Sequence, residues 1–136
     1  MTLNVLANID VDDLARATEF YCSALELRIG RRFGTSAVEL LGGSVPIYLL
    51  EKAAGTVSSP GAPSRRHYER HWTPVHLDFV VVDVLAAVAR ATHAGASLEG
   101  QVHTHPWGRI AFMADPFGHG FCFIEFLGRG YDEIAS

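Results

Sequence analysis

Cysteine is scarce in this chain. Of 136 residues only Cys22 and Cys122 are cysteines, both in apolar settings and neither in a CxxC pair. That excludes a disulfide scaffold or a cysteine-built zinc cluster and leaves two reduced, buried thiols. Charge runs are missing too: the net charge of −4 is spread over scattered residues, so nothing forms a nucleic-acid footprint or a basic membrane-binding face. No apolar stretch approaches membrane-spanning length, and the N-terminus lacks the basic start and apolar core of a secretory signal. The expectation is a cytoplasmic protein with neither nucleic acid nor membrane as partner. What the chain does have is apolar content, 49% of its residues, enough for one compact domain or for two small repeated halves sharing a core.

Taken in order, residues 1–10 alternate loosely and place Leu3, Val5, Leu6 and Ile9 as a half-buried strand. Asp13 is positioned to cap a helix, its carboxylate accepting from the free N–H groups of the first turn, and Leu14, Ala17, Phe20, Tyr21 and Leu25 follow at helical spacing. Three short strands are predicted at 28–33, 36–41 and 45–51, separated by Gly34-Thr35 and Gly42-Gly43-Ser44. Residues 52–73 carry glycine, proline and serine with no period of either kind, as a linker or functional loop does. Arg65, Arg66 and Arg70 make this loop basic, either as a solvated face or as an attractor of anions, and Tyr68 and Trp72 are candidates for a lid or for dimer contacts.

A fifth strand, at 74–82, then precedes Asp83 as a cap, a helix to about His93 and Gly95 as its stop. Sliding the chain along itself lays Val11 on Val81, Asp13 on Asp83, Ala17 on Ala87, Ile9 on Phe79 and Leu14 on Val84, so strand, cap and helix repeat together. An extended stretch at 97–103, a turn with Pro106 and Trp107, and a strand at 109–114 follow. The last strand enters from Asp115-Pro116-Phe117-Gly118-His119-Gly120, a turn in which proline presets one angle and glycine supplies another. Alternation puts Phe121, Phe123 and Glu125 on one face and Cys122, Ile124 and Phe126 on the other. The expected fold is α+β: two βαβββ modules, 1–51 and 74–127, joined by the 52–73 loop and followed by a short tail at 128–136. Their concave sheets enclose a cleft.

Three motifs in this order, Val11-Asp12-Asp13-Leu14-Ala15-Arg16-Ala17 with Phe20-Tyr21, His76-Leu77-Asp78-Phe79, and Asp115-Pro116-Phe117-Gly118-His119-Gly120-Phe121-Cys122, resemble the vicinal oxygen chelate superfamily. That group holds glyoxalase I, extradiol dioxygenases, fosfomycin-resistance transferases and bleomycin-resistance proteins, and the resemblance spans nearly the whole chain. It implies the glyoxalase/bleomycin-resistance/dioxygenase fold and a homodimer. It also implies a divalent metal held by His or Glu from the first and last strands of each half, where open coordination positions accept two neighbouring substrate oxygens. Carried over, those positions fall on Leu6, on Tyr48 or a neighbour, on His76 and on Cys122. Leucine cannot bind a metal, and one imidazole with one thiol falls short of a three- or four-ligand site.

Two readings follow. In the first, the protein binds a small organic molecule in the cleft with no cofactor, through Tyr48, His76, Trp107 and Cys122. The alternative is a metal-dependent lyase or extradiol-type dioxygenase in which His76 joins Glu51 or Glu125. A bland reading stands beside each residue: His76 as a structural histidine, Cys122 as a small packed hydrophobe, Glu125 as an edge carboxylate, and Trp107 as a packing aromatic. His67 and His71 lie four apart without a third ligand, and with His103 and His105 they read as loop histidines.

Overall fold

A computed structural model describes residues 1–136. The chain forms two compact units, Met1–Glu69 and Arg70–Ser136, and each carries one helix on one mixed sheet, the α+β arrangement expected. No helix is long and apolar enough to cross a membrane.

The first unit contains β1 (Ala7–Val11), α1 (Leu14–Leu25), β2 (Arg28–Phe33), β3 (Ala37–Leu41) and β4 (Ile47–Glu51). Its strands lie in the order β1-β4-β3-β2, with β1 parallel to β4 and the other pairs antiparallel. Alternation decides the core: Val38, Leu40, Ile47 and Leu49 are buried on one sheet face, and Leu14, Ala17, Phe20, Tyr21 and Ala24 are the buried stripe of α1. Asp13 caps α1 by accepting from the Arg16 N–H at 3.0 Å. The first strand is shorter than residues 1–10 because Leu3, Val5 and Leu6 lie before it and are exposed; an alternating pattern marks a strand only where a neighbour supplies hydrogen bonds.

The second unit repeats the plan with β5 (Asp78–Val80), α2 (Val84–Ala94), β6 (Ser97–Leu98), β7 (His103–His105), β8 (Gly108–Ala114) and β9 (Gly120–Phe126). The order is β5-β9-β8-β6, with β7 also on β8, and β5 runs parallel to β9. Two departures from expectation have local causes. The stretch at 97–103 is split into two strand pieces around Gly100, whose φ of +81° leaves the extended region. The β-branched run at 74–82 contributes only three paired residues, because β9 meets it from Asp78 to Val80.

The turn before β9 is built as its composition requires. Asp115, buried, accepts from the Phe117 N–H at 2.8 Å and the His119 N–H at 2.9 Å, and Gly118 has φ +90°. Phe121 and Phe123 then pack with Ala111 and Met113 on the face shared with Val84, Ala87 and Ala91 of α2. Cys122 is thereby turned to the other face.

The 52–69 loop is fixed by its own arginines. Arg66 pairs with Asp10 at 2.7 Å and donates to the Val57 carbonyl at 2.6 Å, while Arg65 donates to the Gly55 carbonyl at 2.9 Å. The Tyr68 hydroxyl donates to the Lys52 carbonyl at 2.6 Å. The basic cluster is therefore structural here, closing the loop on the first sheet, where the composition reads as a solvated face.

Candidate functional site

The α-free face of the second sheet gathers the groups with usable chemistry. Asp78 on β5 stands opposite Cys122 on β9, and Phe112 on β8 stands opposite Cys122 from the other side. His76 lies just before β5 and on the same side as Asp78, its Nε2 being 3.3 Å from Asp78 Oδ1. One donor atom from each of His76, Asp78 and Cys122 falls within 4.8 Å of the other two.

The three groups are not equally accessible. His76 and Asp78 side chains are each 38% exposed, whereas Cys122 is 0% exposed. Burial first, then the charge of Asp78 and a hydrogen bond to it, push the Cys122 thiol up to about 12. The thiol is therefore protonated near neutral pH, and its nucleophilicity is low.

Trp72 stands against this cluster. Its ring meets His76 edge-on at 5.7 Å and 86°, and Phe112 at 5.9 Å and 72°. It also lies on the backbone of Gly120, where an added Cβ would come within 2.5 Å of the indole. Its N–H donates to Glu99 at 3.0 Å, and the Arg70 guanidinium sits 4.9 Å from the ring centre.

The remaining candidates take other roles. Glu51 accepts from the Leu14 N–H at 2.8 Å, and Glu125 accepts from the Val84 N–H at 2.8 Å, so each last strand sends a carboxylate to the first turn of its own unit's helix. Glu125 does not join His76, as its strand parity implies. Trp107 stacks on His105 at 5.2 Å and 7°, and packs with Phe126 and Tyr131, beside the C-terminal 3-10 turn Gly130–Glu133. Tyr48, in the first unit, stands opposite Asn8 and Glu39. Leu6, before β1, is exposed.

Tyr48 belongs to a polar network on the α-free face of the first sheet. Its hydroxyl donates to Glu39 Oε2 at 2.8 Å, and Arg31 reaches both Glu39 oxygens at 3.1 and 2.7 Å. The Arg31 side chain, followed by its N–H and then the Tyr48 hydroxyl, lowers Glu39 from 4.5 to about 2. A depressed carboxylate stabilises the fold above its ordinary titration range and loses that contribution as pH falls through its folded value. Melting temperature measured from pH 4.5 down to about 2 should therefore fall more steeply in the wild-type protein than in Glu39→Gln, window limits following Glu39. Parallel curves would show that the network contributes nothing.

Asp78 was within reach of the sequence, since a carboxylate two residues after His76 on a strand must share its face. Trp72 and Arg70 are visible in the sequence as a lid candidate and as part of a basic cluster, but Phe112 and Glu99, and the meeting of all four, are not, because they come together only through tertiary pairing; Arg70 and Glu99 are 29 residues apart.

The glyoxalase-like domain family matches residues 7–124. An uncharacterised protein of Mycobacterium tuberculosis is 32% identical over 128 residues, covering 91% of this chain and 72% of that protein. The anthracycline biosynthesis protein DnrV of Streptomyces peucetius is 39% identical over 66 residues, 48% of this chain and 22% of that protein. Among solved structures, the fosfomycin resistance protein FosX of Listeria monocytogenes has a TM-score of 0.73 at 16% identity and covers 99% of both chains, which is a likeness of fold.

Proposed function

Because the chain belongs to the glyoxalase-like domain family, we propose that it binds a small organic molecule on the α-free face of its second sheet, with no metal ion required. The observation that carries this reading is the aromatic corner of Trp72 and Phe112, 40% and 39% exposed, set against the half-exposed His76–Asp78 pair. A flat apolar wall with a few convergent polar groups is the usual chemistry of a small-molecule site. A planar ring bearing one hydrogen-bonding group fits it, and the partial similarity to an anthracycline biosynthesis protein favours the same ligand shape. In this reading the protein works in the cytoplasm as a homodimer, as its family resemblance implies.

Titration of intrinsic fluorescence with an anthraquinone carboxylate and an anthraquinone amine tests the proposal. Saturable quenching is expected, weakened about tenfold in His76→Ala through loss of one hydrogen-bonding group, with the melting temperature retained. Absence of saturable quenching by either probe, or equal affinity in His76→Ala, would overturn it.

A second reading is favoured by one observation, the three donors of His76, Asp78 and Cys122 within mutual reach. Imidazole, carboxylate and thiolate suit a borderline divalent ion such as zinc, which would take the place of the thiol proton and supply Lewis-acid chemistry at its open positions. The raised thiol opposes this, since the ion must displace a tightly held proton. Elemental analysis and calorimetric titration with zinc, nickel and iron(II) separate the readings: stoichiometric, micromolar uptake lost in His76→Ala establishes the metal site in place of the first reading.

A further inference from the structure

We infer that residues Arg70–Trp72 form a latch across this face, held shut by the Arg70–Glu99 ion pair, and that the latch controls access to Cys122. The inference rests on the reading of this face as a binding site, although its readout needs no ligand.

The latch is tied to the turn before β9 at His71, whose N–H donates to the Gly118 carbonyl at 2.9 Å in an isolated bridge with His119, the two imidazoles meeting at 5.5 Å. Arg70 then does most of the fastening. Its Nε and Nη2 donate to the two oxygens of Glu99, each at 2.5 Å, and its Nη1 reaches the Gly118 carbonyl at 3.3 Å. Glu99 also accepts from the Trp72 indole, so one carboxylate holds both ends of the segment. That carboxylate is itself anchored, because the Glu99 N–H donates to the Phe112 carbonyl at 2.8 Å.

What the latch covers follows from where the indole rests. Gly120 has no Cβ, and the ring occupies the space one would fill. From there its edge contacts His76 and Phe112, the groups flanking Cys122. The thiol is wholly covered although His76 and Asp78 beside it are half-exposed, and the indole is the large side chain lying against His76 and Phe112 next to it.

The fastening is weak by design of its surroundings. Arg70 and Glu99 side chains are 31% and 36% exposed, so the pair is open to solvent and screened by salt. A segment held by an isolated bridge and a partly exposed ion pair opens at lower cost than the continuous ladder of the sheet beneath it. A ligand reaching Cys122 displaces Trp72 or enters while the latch is open, and the latch thereby limits the size of what is admitted to the thiol.

The test uses the full chain carrying Cys22→Ser, so that Cys122 is the single thiol, and follows its alkylation by iodoacetamide at about pH 8.5, where a thiol released from burial by opening of the latch forms thiolate and the covered one stays protonated. Arg70→Met and, separately, the isosteric Glu99→Gln should each speed alkylation about fivefold, the scale of an exposed ion pair. Raising salt from about 0.1 to 1 M should speed the parent but neither variant. Acrylamide quenching of Trp72 in a Trp107→Phe background should rise in parallel. Unchanged alkylation in variants that melt with the parent overturns the latch, as does a salt-independent parent rate, which decides the matter if both variants unfold. Altered alkylation without binding of the anthraquinone probes would overturn the binding reading and leave the latch standing; binding with unaltered alkylation would do the reverse.

Discussion

Phe123→Ala is expected to destabilise the protein by about 3–5 kcal/mol and to lower its melting temperature by roughly 15 °C. Phe123 lies mid-strand on β9, which has β5 on one side and β8 on the other, and it is 1% exposed. Its ring packs against Phe121 at 5.3 Å and 88° and against Phe79 at 6.4 Å. The neighbours cannot close the gap left by truncation. Ala111, directly opposite on β8, is already small, and α2 above offers Val84, Ala87 and Ala91. A cavity lined by such groups stays dry, so the lost contacts are not replaced by water. Urea denaturation monitored by circular dichroism measures the loss directly. A loss below about 1 kcal/mol would mean that α2 settles onto the sheet, and that the second unit's core is less tightly packed than its burial indicates.

The same strand shows what a sequence carries and what it withholds. Alternation along 120–126 separates Phe121, Phe123 and Glu125 from Cys122 in the sequence itself, because the two faces of a strand are fixed by backbone geometry. The caps at Asp13 and Asp83 and the turn at Asp115 are legible for a similar reason: each satisfies backbone groups within four residues of itself. Partnership across the chain is a different matter. Nothing in the run at 74–82 states that only Asp78 to Val80 meet β9, and nothing in residues 1–10 states that the first six lack a neighbour.

Glu51 and Glu125 illustrate the limit for function. As carboxylates near the ends of last strands they invite a ligand role, yet an amide at the start of each helix needs an acceptor, and the folded chain supplies these two. The His76–Cys122 association came through the family resemblance, whereas Asp78 follows from alternation alone. The Trp72 corner depends on Glu99, a residue without any motif, and on the missing side chain at Gly120. Glycine reads as a turn signal in sequence, and its use as a seat for an indole appears only when the partner is known.

Gly108→Ala is expected to cost about 4 kcal/mol, near the upper end for one substitution. Gly108 opens β8 with φ +157°, at the margin of what an L-residue adopts, and pairs with Phe126 across the β8–β9 ladder. A Cβ there would lie 2.2 Å from the Glu125 carbonyl oxygen and 3.1 Å from Phe126 Cα. Those atoms are backbone, so no rotamer change relieves the overlap and the two strands must separate at this end. Separation disturbs the Leu127 N–H bond to the Trp107 carbonyl, 3.0 Å long, and with it the stack of Trp107 on His105 and its contacts with Phe126 and Tyr131. The other end of the ladder, where Phe112 faces Cys122 and Ala114 faces Gly120, keeps its own pairing. Hydrogen exchange should therefore show early loss of protection at Leu127 and around Trp107 before it spreads along β9, together with a melting temperature lowered by roughly 15 °C. Uniform loss along both strands would mean that the β8–β9 hairpin opens as one unit, and that the candidate site at its far end depends on this glycine as well.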